Sequence, residues 1–359
     1  MSTRRSARLS RAAADAVDGG IPAAPRSPRA GPRIVFFGSG DFALTLLDAL
    51  LADPATAPIA IVSTPDRPAG RDGVPTPTPV SARARAVGAV LRQPPTLRDG
   101  AAAAMLRDLD PDLAVVADYG RIVPEELLGI PRRGFLNVHP SLLPRHRGAA
   151  PIPATIAAGD DETGVTVIAM DAGVDTGSVV AVSHRPLTGT ESAPDLEAAL
   201  ARDGAALLRE TLGAWLEGSV AAVPQPVAGV TMTRTLRRED GRLDPALGAI
   251  ALERRVRAHR PWPGSFVEIP QGRLIVLEAA MGSAALPVSE AEGAPPGARP
   301  AYAVVADGDG IALATADGLL HLVRVQLAGG RPMTGAELRR GRPAVVGAPV
   351  IMPVRESPR

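Results

Sequence analysis

From Arg33 onward the apolar positions follow a regular plan. RIVFFG (33–38) is a short apolar run closed by glycine, which predicts a buried strand, and DFALTLLDALL (41–51) sets Phe42, Leu46, Ala49 and Leu50 on one helical face. The pair of patterns recurs. IAIVST (59–64), LAVVAD (113–118), GFLNVH (134–139) and GVTVIAM (164–170) read as strands, and 101–109, 151–158 and 192–215 as helices. Strands alternating with helices predict an α/β domain with a mainly parallel sheet over 33–218. Residues 1–32, rich in Arg, Ala, Gly and Pro, lack that periodicity and read as a disordered tail. The stretch 219–230, which contains VPQP, reads as a linker. Beyond it, 231–359 holds one predicted helix (246–258) and short predicted strands at 264–269, 273–279, 301–306, 310–315 and 319–325. Short strands with frequent turns predict a small β-barrel, with 282–300 as a loose loop inside it.

Composition narrows the chemistry. A length of 359 residues, 45% of them hydrophobic, suffices for two cores, and with aromatics at 3% those cores must be aliphatic. There is no cysteine, which excludes disulfides, thiolate nucleophiles and thiolate metal sites, and no lysine, which excludes a Schiff base or a P-loop lysine. Net charge is +1; the tail carries an excess of arginine, so the remainder is slightly acidic, and a polyanionic partner would have to be met by local patches. No apolar run has the length of a membrane span, and no secretory signal is evident, so a cytoplasmic bacterial protein is expected.

Three segments could carry chemistry. Gly38-Ser39-Gly40 joins the first strand to the first helix, but position 43 is alanine and Phe42 is bulky, so a tight turn fits better than a dinucleotide site. In GFLNVHPSLLPRHRGAAP (134–151), Asn137 and His139 are two apart at a strand end and project to one side. An imidazole can take a proton from a nucleophile, and an amide NH₂ can steady an oxyanion. Alone, the pair fits a structural histidine better. MDAGVDTG (170–177) changes that balance, because its glycine-rich loop can bring a carboxylate, Asp171 or Asp175, beside His139 to fix its tautomer. Two aspartates could also suggest a metal, but no further dense run of carboxylates accompanies them.

At this point NVHPSLLPRHRGAAPI followed by MDAGVDTG resembles the folate-dependent formyltransferases, most of all the branch that acts on methionyl-tRNA. STPDRPAGR (63–71), PTPV (77–80), DYGRIVP (118–124) and RPWPGSF (260–266) support the resemblance, which runs from about Arg33 to the end. It implies a Rossmann-like domain followed by an OB-like barrel, and a triad carried here by Asn137, His139 and Asp175. It implies 10-formyltetrahydrofolate as co-substrate, bound in part by Ser141-Leu142-Leu143-Pro144, with no metal. It also implies initiator methionyl-tRNA as acceptor, met partly by Arg67 and Arg71, and a monomer free of any membrane. The arginines of 234–260 form either a basic track or an ion-paired surface, since Glu239, Asp240, Asp244 and Glu253 are interleaved. Two departures stand out. Arg71 is followed by Asp72-Gly73-Val74 rather than by further basic residues, and Pro140 and His146 replace the family's more usual Gly and Trp. Both replacements also occur in formyltetrahydrofolate hydrolase-like domains, so such a hydrolase, or another amine N-formyltransferase, is the alternative.

Overall fold

Ile34–Gly38, buried throughout, form strand β1, as expected of a strand covered on both faces. Helix α1 (Asp41–Leu51) buries Phe42, Ala43, Leu46, Leu47 and Leu50 at helical spacing. Then come β2 (Ala60–Val62), a hairpin of β3 (Arg67–Ala69) and β4 (Val74–Thr76), and α2 (Pro79–Ala86). Thr78 starts α2 by accepting the amide of Ser81 at 3.0 Å, with Pro79 in the first turn. There follow β5 (Leu91–Arg92), α3 (Gly100–Leu109), β6 (Leu113–Ala117), α4 (Glu125–Leu128), β7 (Phe135–His139), β8 (Arg147–Gly148), α5 (Pro151–Ala158), β9 (Glu162–Ala169), β10 (Ser178–Pro186) and α6 (Ala193–Glu217). The computed structural model describes residues 31–69, 74–282 and 302–352, so the expected tail, Arg71 and nearly all of the expected 282–300 loop lie outside the described residues.

The first sheet has the order β10-β9-β7-β6-β1-β2-β5. β5, β2, β1, β6 and β7 are parallel to one another, which meets the expectation. β9 is the departure: it runs antiparallel to both β7 and β10, with His139 opposite Thr166 and Leu136 opposite Ala169. The one helix between β7 and β9 is the two-turn α5, too short to return the chain across the sheet as a crossover does.

Alternation divides this sheet into two faces. Phe36, Val115, Leu136, Val138, Val165 and Val167 pack with residues of α1 and α6. Val35, Phe37, Val116 and Phe135 pack with Ala102, Ala103 and Leu106 of α3. Asn137 and His139 share the parity of Phe135, so they project from the α3 face. Beyond the reach of α3, that face is covered by the segment after β9, whose first residue, Met170, packs against the same core.

After α6 the chain leads to β11 (Met232–Thr233), which pairs in parallel with β8. Then come α7 (Ala249–Ala258), β12 (Ser265–Ile269), β13 (Gly272–Met281), β14 (Val304–Asp307), β15 (Gly310–Ala314), β16 (Leu319–Leu327), β17 (Met333–Thr334) and α8 (Gly335–Gly341). The expected barrel takes the form of a curled antiparallel half-barrel of order β12-β13-β16-β15-β14, with β17 on β16. It encloses its own core around Val267, Leu274, Leu320 and Leu322, against Leu252 and Val256 of α7. The other side of α7 joins the first core through Ala258. Arg257 of α7 donates to the Glu191 carbonyl at 2.7 Å, and Arg254 to that of Ala158 at 3.4 Å. Among the described residues no helix is long and apolar enough to cross a membrane.

Candidate functional site

Asn137, His139 and Asp175 meet on the α3 face of β7. Asn137 Nδ2 donates to Asp175 Oδ1 at 3.0 Å, and the Gly148 amide donates to Asp175 Oδ2 at 2.8 Å. His139, almost wholly buried, points Nδ1 at Asp175 Oδ2 across 3.6 Å. Its Nε2 lies 3.0 Å from the carbonyl oxygen of His146. A carbonyl only accepts, so Nε2 carries the proton of the neutral ring, and Nδ1 is left free to exchange one. Asn137 is the middle residue of β7, paired with both Val116 and Ile168, so the site lies on the face of the sheet as much as beyond its carboxyl edge.

The loops that build the site are held by backbone constraints. Asp175 has φ 52°, a left-handed conformation that side chains larger than glycine adopt at a cost. Its own carbonyl and that of Gly177 each accept from Gln225 Nε2 at 2.8 Å. Gly148 has φ 103°, and a Cβ there would lie 2.2 Å from the Thr233 carbonyl oxygen, so the approach of β11 requires glycine. Thr231 accepts the His146 amide at 2.7 Å, and Thr233 accepts that of Ala150 at 3.0 Å. Asp171 lies apart from the triad and accepts from Thr176 at 2.5 Å and from the Gly173 amide at 3.1 Å.

Ser141-Leu142-Leu143-Pro144 follows β7 directly. Ser141 is fully buried and its hydroxyl donates to the Arg145 carbonyl at 2.7 Å, while Thr166 donates to the Ser141 carbonyl and accepts the Leu143 amide. The Ser141 hydroxyl therefore shapes its own loop, and Leu142 and Leu143 are the half-buried members left to face a ligand. Leu142 also lines a cavity of about 340 Å³ with Arg145, His146, Asp160, Asp161, Glu162 and Thr163. No triad residue lines that cavity. The buried His146 ring is bound to Asp160 through Nε2 at 2.8 Å, and Arg145 pairs with the same carboxylate.

Arg67 is exposed on β3 of the hairpin; Arg71 lies outside the described residues. The hairpin's root is tied to the β1–α1 turn, where Ser39 Oγ lies 3.0 Å from Thr64 Oγ1, and Ser63 Oγ lies 2.7 Å from Thr78 Oγ1. That turn offers no room for a dinucleotide phosphate, because Asp118 Oδ2 stands 1.8 Å from where a Cβ on Gly40 would be. A carboxylate of the protein thus occupies the start of α1. Asp118 is accessible as a residue, yet its carboxylate is crowded on the Gly40 side. Lost hydration, with the charges of Glu197 and Asp41, pushes it up to about 7, and the Gly40 amide offsets only part of this. Burial and Asp41 likewise raise Glu197.

Of the eight arginines of 234–260, four face carboxylates. Arg234 pairs with Asp240 at 2.5 Å and Arg257 with Glu253 at 2.7 Å, while Arg242 and Arg260 lie 3.8 Å from Glu268 and Glu278. Hydrogen bonding from Arg234 holds the Asp240 carboxyl down at about 2. These four fit the ion-paired surface, while Arg237, Arg238, Arg254 and Arg255 have no carboxylate partner among the described residues and fit the basic track. Sequence reading missed Gln225, Gly148, Asp160 and Asp118; the one available hint was that Gln225 stands between two prolines, in a stretch otherwise typical of a linker.

A Rossmann-like sheet that brings an amide, an imidazole and a carboxylate together, with one imidazole nitrogen free for a proton, is an arrangement that can support acyl-type group transfer. Residues 32–212 match the formyl transferase family model and residues 235–343 the model for the formyl transferase C-terminal domain; the chain belongs to this family. Methionyl-tRNA formyltransferase of Roseiflexus castenholzii is 42% identical over 309 residues, covering 86% of this chain and 96% of the relative. The enzyme of the same name from Halorhodospira halophila is 43% identical over 318 residues, covering 89% and 99%. Among solved structures, the N-formyltransferase from Helicobacter canadensis in complex with folinic acid and dTDP-3-aminofucose matches with a TM-score of 0.59 at 14% identity, over 80% of this chain and 97% of the other. HypX from Aquifex aeolicus in complex with tetrahydrofolic acid matches with a TM-score of 0.56 at 17% identity, over 86% and 47%. At these identities the structural likeness is one of fold. The resemblance read in the sequence is borne out at the level of the family.

Proposed function

We propose that the chain transfers the formyl group of 10-formyltetrahydrofolate to the α-amine of methionyl-initiator tRNA. The observation that carries this reading is the 42–43% identity, over nearly the whole length of the relatives, to enzymes named methionyl-tRNA formyltransferase. The triad geometry supplies a chemistry that fits. The amine attacks the formyl carbon, a C–N bond forms, and the carbonyl electrons move to oxygen. Asn137 gives one amide proton to Asp175 and has a second to offer that oxyanion. His139 Nδ1 takes the proton the amine must lose, and Asp175 faces the resulting imidazolium. The intermediate collapses with cleavage of the bond to N10, which receives the proton, so tetrahydrofolate leaves and formyl-methionine remains on the tRNA.

In this reading Leu142 and Leu143 flank the folate, with Ser141 and Pro144 fixing the loop, and Arg67 contacts tRNA phosphate; Arg71 is assigned the same role. The protein acts as a monomer in the cytoplasm. The test is to incubate it with 10-formyltetrahydrofolate and methionyl-initiator tRNA, and to follow formyl-methionine beside His139→Ala and a reaction without tRNA. The mutant is expected to lose about 10² to 10⁴ in kcat. Release of tetrahydrofolate at the same rate without tRNA, and no formyl-methionine, would instead identify a hydrolase.

A further inference from the structure

Between Val223 and Val230, Gln225 alone is not exposed. Its amide orientation is determined by its partners. Arg147 donates to Oε1 through Nε at 3.1 Å and through a terminal nitrogen at 2.6 Å, and a guanidinium can only donate. Nε2 must then face the carbonyls of Asp175 and Gly177, and both of its protons are used there at 2.8 Å. The segment is anchored on either side of this residue: Val223 exchanges two backbone hydrogen bonds with Val179 of β10 (2.7 and 2.8 Å), and Thr231 accepts from His146. Pro224 and Pro226 restrict the backbone around the glutamine.

Asp175 is a non-glycine residue in the left-handed region, and such a conformation persists only where its surroundings over-determine it. Two donors from Gln225, one on each side of the turn at Thr176, supply that determination from outside the loop. We infer that Gln225 is a positioning residue for the transfer: the connector between the two sheets holds Asp175 in the backbone conformation that presents its carboxylate to Asn137, Gly148 and His139. This builds on the proposed role of Asp175, and it makes the connector part of the active site.

Gln225→Glu separates this role from general folding, because it keeps the acceptor for Arg147 and removes both donors. Gln225→Glu and Gln225→Ala are expected to lower kcat by about 10- to 100-fold, with KM for folate and for tRNA changed by less than about threefold. In an Asp175→Ala background, Gln225→Ala is expected to cost nothing more, as for residues that act as one unit. A full additional loss in that background, or a raised KM with kcat intact, would overturn the proposal. A crystal structure of Gln225→Glu tests it without any substrate. Asp175 is expected to leave the left-handed region and part from the Gly148 amide. An unchanged Asp175 sinks the inference whatever group the wild-type enzyme transfers, while inactive wild-type protein counts only against the assigned reaction.

Discussion

A carboxylate facing the start of a helix is ordinarily held in its charged form, yet Asp118 sits there pushed up to about 7 because burial and the charges of Glu197 and Asp41 outweigh the Gly40 amide. In the unfolded chain its carboxyl returns to the ordinary aspartate value of 3.8. Between about pH 4 and 7 the folded state therefore holds a proton that the unfolded state has released, so this group makes stability fall as pH rises, and the penalty is complete above pH 7. Asp118→Asn is expected to melt with wild type near pH 4 and at a higher temperature at pH 8; equal melting temperatures at both pH values would refute the account. At this scale, spacing placed Asn137 and His139 together at a strand end but fitted a structural histidine as well, and it did not separate Asp175 from Asp171; only the family resemblance singled out the three residues that the structure brings together. Gln225 was not legible: its partners, Arg147, Asp175 and Gly177, lie 48 to 78 residues away in the chain, and no local pattern reports such a meeting.

Among elements, the long periodic ones were readable and the pairings were not. β1, α1, β6 and β7 match their apolar runs closely, since burial on both faces or on one helical stripe leaves a signature in every residue. Periodicity carries no direction, so the antiparallel course of β9 had no counterpart in the sequence. β8 and β11 are two residues each, too short for any period, although their parallel pairing holds the glycine whose amide donates to Asp175. Gly148 is the residue on which that pairing turns. Gly148→Ala would force a Cβ to 2.2 Å from the Thr233 carbonyl at φ 103° and displace the amide that donates to Asp175. A loss of about 1 to 3 kcal/mol in denaturant titration is expected from the strain. A fall in kcat should accompany it, and a variant with full stability and full kcat would show that β11 does not hold the loop.

For the whole molecule, charge bears most directly on the partner. The chain has a net charge of +1, and the tail's arginines leave the rest slightly acidic, so no global field draws in a polyanion. At the junction between the two sheets Arg234, Arg242, Arg257 and Arg260 already face carboxylates, which halves the positive charge on offer there. A separate local candidate is the exposed β3–β4 hairpin with Arg67, whose root is bound through Ser63 and Thr78 to the edge of the same sheet that carries the triad. If Arg67 neutralises one phosphate, it contributes about 0.7 to 0.9 to the slope of log affinity against log salt. Arg67→Ala should then raise KM for tRNA, flatten its salt dependence by about that amount, and leave KM for folate unchanged. Measuring KM for tRNA across a salt series in both proteins decides it: parallel salt lines would make Arg67 an ordinary solvated arginine and move the tRNA contact to another part of the surface.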